Sequence, residues 1–258
     1  MLTKDQLSDL TKLYKINESV VLREYLQLLA LHKIYSFSKS SNIFFKGGTC
    51  LHLLYKAPRY SEDLDFSVNM SESDFLDFIK IPFKELEKEN GFVVKDKKSL
   101  AGKTFLLTYK TDLVAGDVFV RFDFSFREKI LDPRKNIIET TFPVLFNNYV
   151  NCLSEEEILS EKIRAILTRD KGRDYYDLWY LLSKNINLNF DFINKKLKYY
   201  KTSLSSDKKE LKNKIEKLAI ADFVVDLRPF VPLKEREKLK DLCGYIKDYI
   251  LKKIFSSN

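Results

Sequence analysis

Cysteine is scarce in this 258-residue chain. There are three, Cys50, Cys152 and Cys243, odd in number and far apart. They form neither a disulfide framework nor a zinc signature, and the expectation is a reducing, cytoplasmic setting. Histidine is scarcer still, with His32 and His52 alone. Neither has a second histidine or a cysteine at ligand spacing, so both read as packed or capping residues. Seven glycines and six prolines, without any period, exclude a collagen-like or linker-like chain. Long apolar runs are also missing. The longest stretch, near Val20 to Tyr35, is broken by Arg23, Glu24 and Lys33, which leaves no membrane span. The opening MLTKDQLSDL has no signal-peptide core.

What is present argues for a folded protein. Apolar residues make up 45% and aromatic residues 14%, enough for a sizeable core. The formal net charge of +8 favours an anionic partner such as a nucleotide, an RNA or an acidic protein. Lysine abundance of the kind found in AT-rich genomes would give the same charge without any partner.

The organisation reads as α+β, a mixed sheet with flanking helices followed by an all-helical half. Residues 1–40 are helical by spacing: Leu7, Leu10 and Tyr14 share one face, and Val21, Tyr25, Leu28, Leu29 and His32 form a second stripe. Ile43 to Phe45 fits a short buried strand, Thr49 to Tyr55 a brief helix, and Leu64 to Val68 a strand. Ser71 with Asp74 predicts a cap for a helix running to Asn90, kinked or split at Pro82. Strand candidates follow at Phe92–Val94, Phe105–Tyr109 and Val118–Phe126, the first two joined by the lysine-rich hairpin KDKKSLAGK. Ser154 with Glu157 predicts a capping box, and the pattern is helical from there on. The composition shifts near 140–153, so the expected domains are 1–150 and 151–258.

Chemistry concentrates in FKGGTCLHLLYKAPRYSEDLDFS, residues 45–67. Gly47 and Gly48 lie between a strand and a helix, where glycine backbone lets an anion approach closely. The helix start adds N–H groups, and Thr49 adds a hydroxyl. A strand-to-helix corner also needs glycine for backbone reasons alone. Asp63-Leu64-Asp65 follows. On a strand, residues i and i+2 point to one side, so the two carboxylates converge. Their repulsion needs an opposing charge. Mg²⁺, which prefers a carboxylate or two with phosphate oxygens and water, is one way to supply it; plain solvation at a strand end is the other. Asp123 is a candidate third acid, on a strand whose polar side also holds Arg121 and Ser125. Three such acids can hold one or two metal ions beside a nucleoside triphosphate.

This order of parts resembles that of polymerase-β-like nucleotidyltransferases: a diglycine turn, a helix, Asp-x-Asp, then a later acid. More narrowly, KGGTCLHLLYKAPRYSEDLDFS resembles the signature of the AbiEii/AbiGii toxin family, nucleotidyltransferase-like toxins of phage-defence (abortive-infection) and toxin–antitoxin pairs. EEEILSEKIRAILTRDKGRDYYDLWYLL resembles that family's downstream block. The two blocks and their spacing span 43–182.

The resemblance implies an enzyme that moves a nucleotidyl group from an NTP to an acceptor hydroxyl with Mg²⁺, releasing pyrophosphate and arresting growth. It further implies RNA, at a tRNA 3′ end, as acceptor and a cognate antitoxin as partner. A small molecule or a protein as acceptor, or a silent nucleotide- or RNA-binding module, are the alternatives. By the same resemblance Asp63, Asp65 and Asp123 hold metal. Lys46, Gly47, Gly48, Thr49, Arg59 and Ser61 bind nucleotide. Lys162 and one of Asp174 or Asp177, both left open, complete the active site from the helical half.

The downstream residues also have a bland reading, a solvated, salt-bridged helix face. Lys162 and Arg169 are seven apart on one face, Arg173 and Asp177 are at i, i+4, and Asp174 and Asp177 at i, i+3. Tyr175, Leu178, Trp179 and Leu182 form a core stripe. KKLKYYK, 195–201, fits either an RNA-binding surface or an ordinary amphipathic helix.

Overall fold

Alternation organises the first half of the chain. Along Val118–Ser125 every second residue is buried, and the core face carries Val118, Val120, Phe122 and Phe124. A computed structural model describes residues 1–99, 102–199 and 204–255, the side chains of 204–206 excepted. It divides after Leu153 into two compact units, 1–153 and 154–258.

The first unit begins with α1 (Lys4–Tyr14) and α2 (Glu18–Tyr35), followed by β1 (Ile43–Lys46), α3 (Gly47–Leu53) and β2 (Asp63–Val68). Next come α4 (Glu72–Asn90), β3 (Val93–Lys97), β4 (Lys103–Tyr109), β5 (Val118–Ser125), β6 (Pro133–Asn136) and β7 (Val150–Leu153). The strands form one mixed sheet in the order β3-β4-β5-β2-β1-β7-β6. β2 runs parallel to β5, and β1 runs parallel to β7. The hairpin tip at 100 and 101 lies outside the described residues.

The core of this unit is aromatic. Phe66 of β2 stacks on Phe124 of β5, ring centroids 4.7 Å apart. Phe75 of α4 meets Phe124 at 4.6 Å, and Phe83 meets Phe122 at 5.2 Å. Burying each such ring stabilises by about 1.5–3 kcal/mol. That packing carries α4 through Pro82 as one helix from Glu72 to Asn90, so the expected split does not occur. Pro82 lacks a donor for the residue one turn back, but it is itself buried on the packed face with Phe78, Ile79 and Phe83. Ser71 caps α4 by accepting from the Asp74 amide, and Gly91 closes it at φ 69°.

Two strands have no local signature. β6 is Pro-Arg-Lys-Asn, polar and exposed, and β7 is only four residues. Both exist because β1 offers a pairing edge: Phe45 faces Cys152, and β6 then pairs with β7. The buried Tyr35 hydroxyl lies 3.0 Å from the carbonyls of both Ile43 and Asn151, tying the ends of β1 and β7.

The second unit is helical: α5 (Glu155–Thr168), α6 (Gly172–Ser183), α7 (Phe190–Lys198), α8 (Leu204–Lys217), α9 (Ile220–Leu227) and α10 (Leu239–Phe255). Ser154 accepts from the Glu157 amide and starts α5. Tyr175, Leu178 and Leu182 are buried, while Trp179 is half-buried between Tyr176 and Tyr245. Gly172 has a packing reason: a Cβ there would lie 2.7 Å from the Phe223 Cα of α9.

Candidate active site

The register of the sheet decides which acids can meet. Asp65 of β2 is opposite Asp123 of β5, and Asp63 is opposite Arg121. Cross-strand partners and i, i+2 neighbours share a face. Asp63, Asp65 and Asp123 therefore project from one side of the sheet, away from the aromatic core. All three are half-buried.

Asp123 is held tightly. Arg121 reaches it twice, Nε to Oδ2 at 2.9 Å and Nη2 to Oδ1 at 3.1 Å. The Thr104 hydroxyl of β4 donates to Oδ1 at 2.6 Å. Asp123, and beyond it Asp63 and Asp65, raise the pKa of the Arg121 guanidinium, although its partial burial acts the other way. Sequence reasoning noted Arg121 only as a polar neighbour. Its i, i+2 spacing from Asp123 was the available signal. Among the described residues no group of three acids, histidines or cysteines is gathered closely enough to enclose a metal ion. Around Asp123 the counter-charge is Arg121.

The diglycine corner sits against these acids. Gly47 has φ +78°, and a Cβ there would fall 2.3 Å from Asp65 Oδ2. Only glycine allows both that backbone and that approach. A Cβ on Gly48 would lie 2.5 Å from Arg59 Nη2 and 2.9 Å from Ser61 Oγ. Arg59, 2% exposed, donates from Nη1 to the Tyr60 carbonyl at 2.9 Å. Lys46 is buried and opposite Asp65 in register. Thr49 is fully buried, and its hydroxyl donates to the Asp63 carbonyl at 2.5 Å. That bond clamps α3 to the start of the acid-bearing strand. With seven residues, α3 has little macrodipole, so the cradle character of the corner lies in the glycine backbone.

In the second unit, Lys162 of α5 bonds both helical acids, Asp174 Oδ1 at 2.9 Å and Asp177 Oδ2 at 2.7 Å. The two residues left as alternatives thus both grip the lysine. Arg169 adds a fork to Asp174, Nε to Oδ2 at 2.7 Å and Nη2 to Oδ1 at 3.0 Å. Burial alone would push Asp174 up. Lys162 and Arg169 outweigh it and hold the carboxyl well below the usual carboxylate range. Arg173 lies over the Phe230 ring, 5.3 Å from its centroid.

A second buried network was not legible. Lys196 of α7, wholly buried, reaches Glu157 at 2.6 Å and Glu161 at 3.0 Å. Within 195–201, then, Lys196 faces inward and Tyr199 is exposed, while Tyr200 and Lys201 lie outside the described residues. His52 packs on Tyr60 at 4.6 Å, with ring nitrogens 2.7 Å from the Ala57 carbonyl and 3.2 Å from Glu24. His32 packs edge-on against Phe146.

A mixed sheet with an acid-bearing face beside a diglycine corner, followed by a helical unit, defines a protein of nucleotidyltransferase type. The chain matches the family model described as "Nucleotidyl transferase AbiEii toxin, Type IV TA system" over residues 30–242, and it belongs to that family of toxin–antitoxin nucleotidyltransferases. MenT4, a nucleotidyltransferase toxin from Mycobacterium tuberculosis H37Rv, shares the fold with a TM-score of 0.64 at 19% identity, covering 96% of this chain and 90% of that one. JHP933 from Helicobacter pylori gives a TM-score of 0.58 at 21% identity, covering 93% and 95%. No curated protein sequence matches. Membership implies an antitoxin as partner. Among the described residues no helix is long and apolar enough to cross a membrane.

Proposed function

We propose that the chain transfers a nucleotidyl group from an NTP, bound with one or two Mg²⁺ ions, to a hydroxyl at the 3′ end of an RNA, a tRNA in the first instance. The acceptor oxygen bonds to the α-phosphorus as the bond to the bridging oxygen breaks. Pyrophosphate leaves, and the hydroxyl proton passes to a carboxylate of the site. The observation that supports this most is the shared face of Asp63, Asp65 and Asp123 against Gly47, whose missing Cβ leaves room at Asp65.

The donor set fits magnesium in kind, being all carboxylate oxygen. Asp63, Asp65 and Asp123 would hold the ion, which supplies charge neutralisation of the phosphates when bound. The chain's own residues do the rest. Gly47 and Gly48 admit phosphate oxygens close to the backbone. Lys46, Arg59 and Ser61 surround that corner with cationic and hydroxyl groups. Thr49 fixes the acid-bearing strand relative to the corner. In the second unit, Asp174 and Asp177 hold the Lys162 ammonium in place. Action in a bacterial cytoplasm, as growth arrest within phage defence, follows from this reading.

Labelled NTP incubated with total RNA, total protein and metabolites tests it. The expected result is Mg²⁺-dependent label in RNA, lost in Asp63→Asn and in Asp65→Asn at unchanged far-UV circular dichroism. Label entering only protein or metabolites, or full incorporation by the double variant, overturns it.

A further inference from the structure

The acid-bearing face of the sheet does not end at the acids. Register carries it outward across three strands. Asp123 pairs with Thr104 and Thr104 with Lys97. Arg121 pairs with Leu106 and Leu106 with Lys95, while Phe119 pairs with Thr108 and Thr108 with Val93. These residues share one side of β5, β4 and β3. The opposite side holds Phe122, Phe124, Phe105 and Leu107 and is buried.

The outward side is open. Phe119 is 43% exposed and Val93 41%, and the side chain of Arg121 is 54% exposed; Lys95 and Lys97 are exposed on the edge strand. Beyond Asp63, Asp65 and Asp123 no residue in these rows is acidic. Phe119, the second residue of β5, is an exposed ring two residues from Arg121, on the same face as Lys95 and Lys97 of the edge strand. β5 and β3 are two strand spacings apart, about 10 Å. The cations therefore flank a path wide enough for one extended polynucleotide strand.

We propose that this face of β5, β4 and β3 is the platform for a single-stranded RNA, with phosphates toward Arg121, Lys95 and Lys97 and a base stacked on Phe119. Charge complementarity selects a polyanion, and the exposed ring selects one with π-faces. The platform leads directly into the carboxylates. It deepens the transfer reading by placing the acceptor, and it rests on that reading only for what happens at the RNA end.

The test is fluorescence anisotropy on the full chain in EDTA, so that binding is read without turnover. The probe is a 12-nucleotide single-stranded RNA, titrated over a range of salt, with an RNA duplex as comparison. Lys95→Gln/Lys97→Gln is expected to weaken binding about tenfold and to lower the salt slope by about 1.4, or about 0.7 for each phosphate no longer neutralised. Phe119→Ala is expected to lose about tenfold, and Phe119→Tyr to recover it. The control Lys84→Gln/Lys88→Gln, on α4, is expected to bind as wild type does. Platform variants within twofold of wild type, equal loss in the control, preference for the duplex, or displacement of the probe by polyglutamate at equal charge would each overturn the proposal. Probe binding through this face without nucleotide transfer leaves the platform standing and removes the enzymatic reading. Nucleotide transfer to RNA without probe binding through this face does the reverse.

Discussion

Arg121 and Asp123, two residues apart on one strand, form a two-point ion pair on the open face of the sheet, at 2.9 and 3.1 Å. The guanidinium neutralises one of the three acids assigned to metal in the proposed function.

Removing that competitor has a measurable consequence. Arg121→Gln is expected to raise the affinity for Mn²⁺, read by calorimetry, by about fivefold, the ~1 kcal/mol scale of a partly exposed pair. The same variant should bind single-stranded RNA more weakly, because one phosphate then has no cation facing it. Unchanged Mn²⁺ affinity would show that the pair does not compete with metal.

Gly47→Ala tests the corner. The φ of +78° and the 2.3 Å approach to Asp65 Oδ2 act together. A loss of about 1–3 kcal/mol in stability is expected from backbone strain alone. Nucleotide transfer should fall further than stability, since Asp65 must move. Chemical denaturation and incorporation assays on the same preparation separate the two effects.

The buried Lys196 makes a prediction of opposite signs. Lys196→Met leaves Glu157 and Glu161 without their lysine in a buried site and should cost about 3–5 kcal/mol in urea denaturation. Replacing all three by apolar residues of similar size should restore most of that loss.

Acid sensitivity follows from Asp174. Its carboxyl titrates below the ordinary range in the folded chain, against about 3.9 when unfolded. The unfolded chain therefore takes up this proton first as pH falls. The stabilisation is complete above about pH 4 and is lost as pH drops below it towards the folded value. Asp174→Asn should flatten the acid limb of a stability profile followed by circular dichroism. An unchanged limb would place the acid sensitivity elsewhere.

The candidate site was legible where chemistry is local. The spacing of Asp63 and Asp65, the alternation around Asp123 and the glycine pair are all written in short windows. So were the caps at Ser71 and Ser154. β6 and β7 were not, because Pro-Arg-Lys-Asn and Val-Asn-Cys-Leu become strands only through partners distant in the chain. The run of α4 through Pro82 escaped for a related reason, since tertiary packing overrode a local breaker. Lys196 reads as a surface lysine in any window; its acids lie on another helix.

The pairing of Phe45 with Cys152 also bears on when this protein becomes competent. A central strand laid down early must wait for a partner made at the very end of its unit. During synthesis the ribosome must therefore release nearly the whole first unit before its sheet can close, and high-separation contacts of this kind form slowly. For a member of a toxin family, that order of assembly ties competence to completion of the first unit.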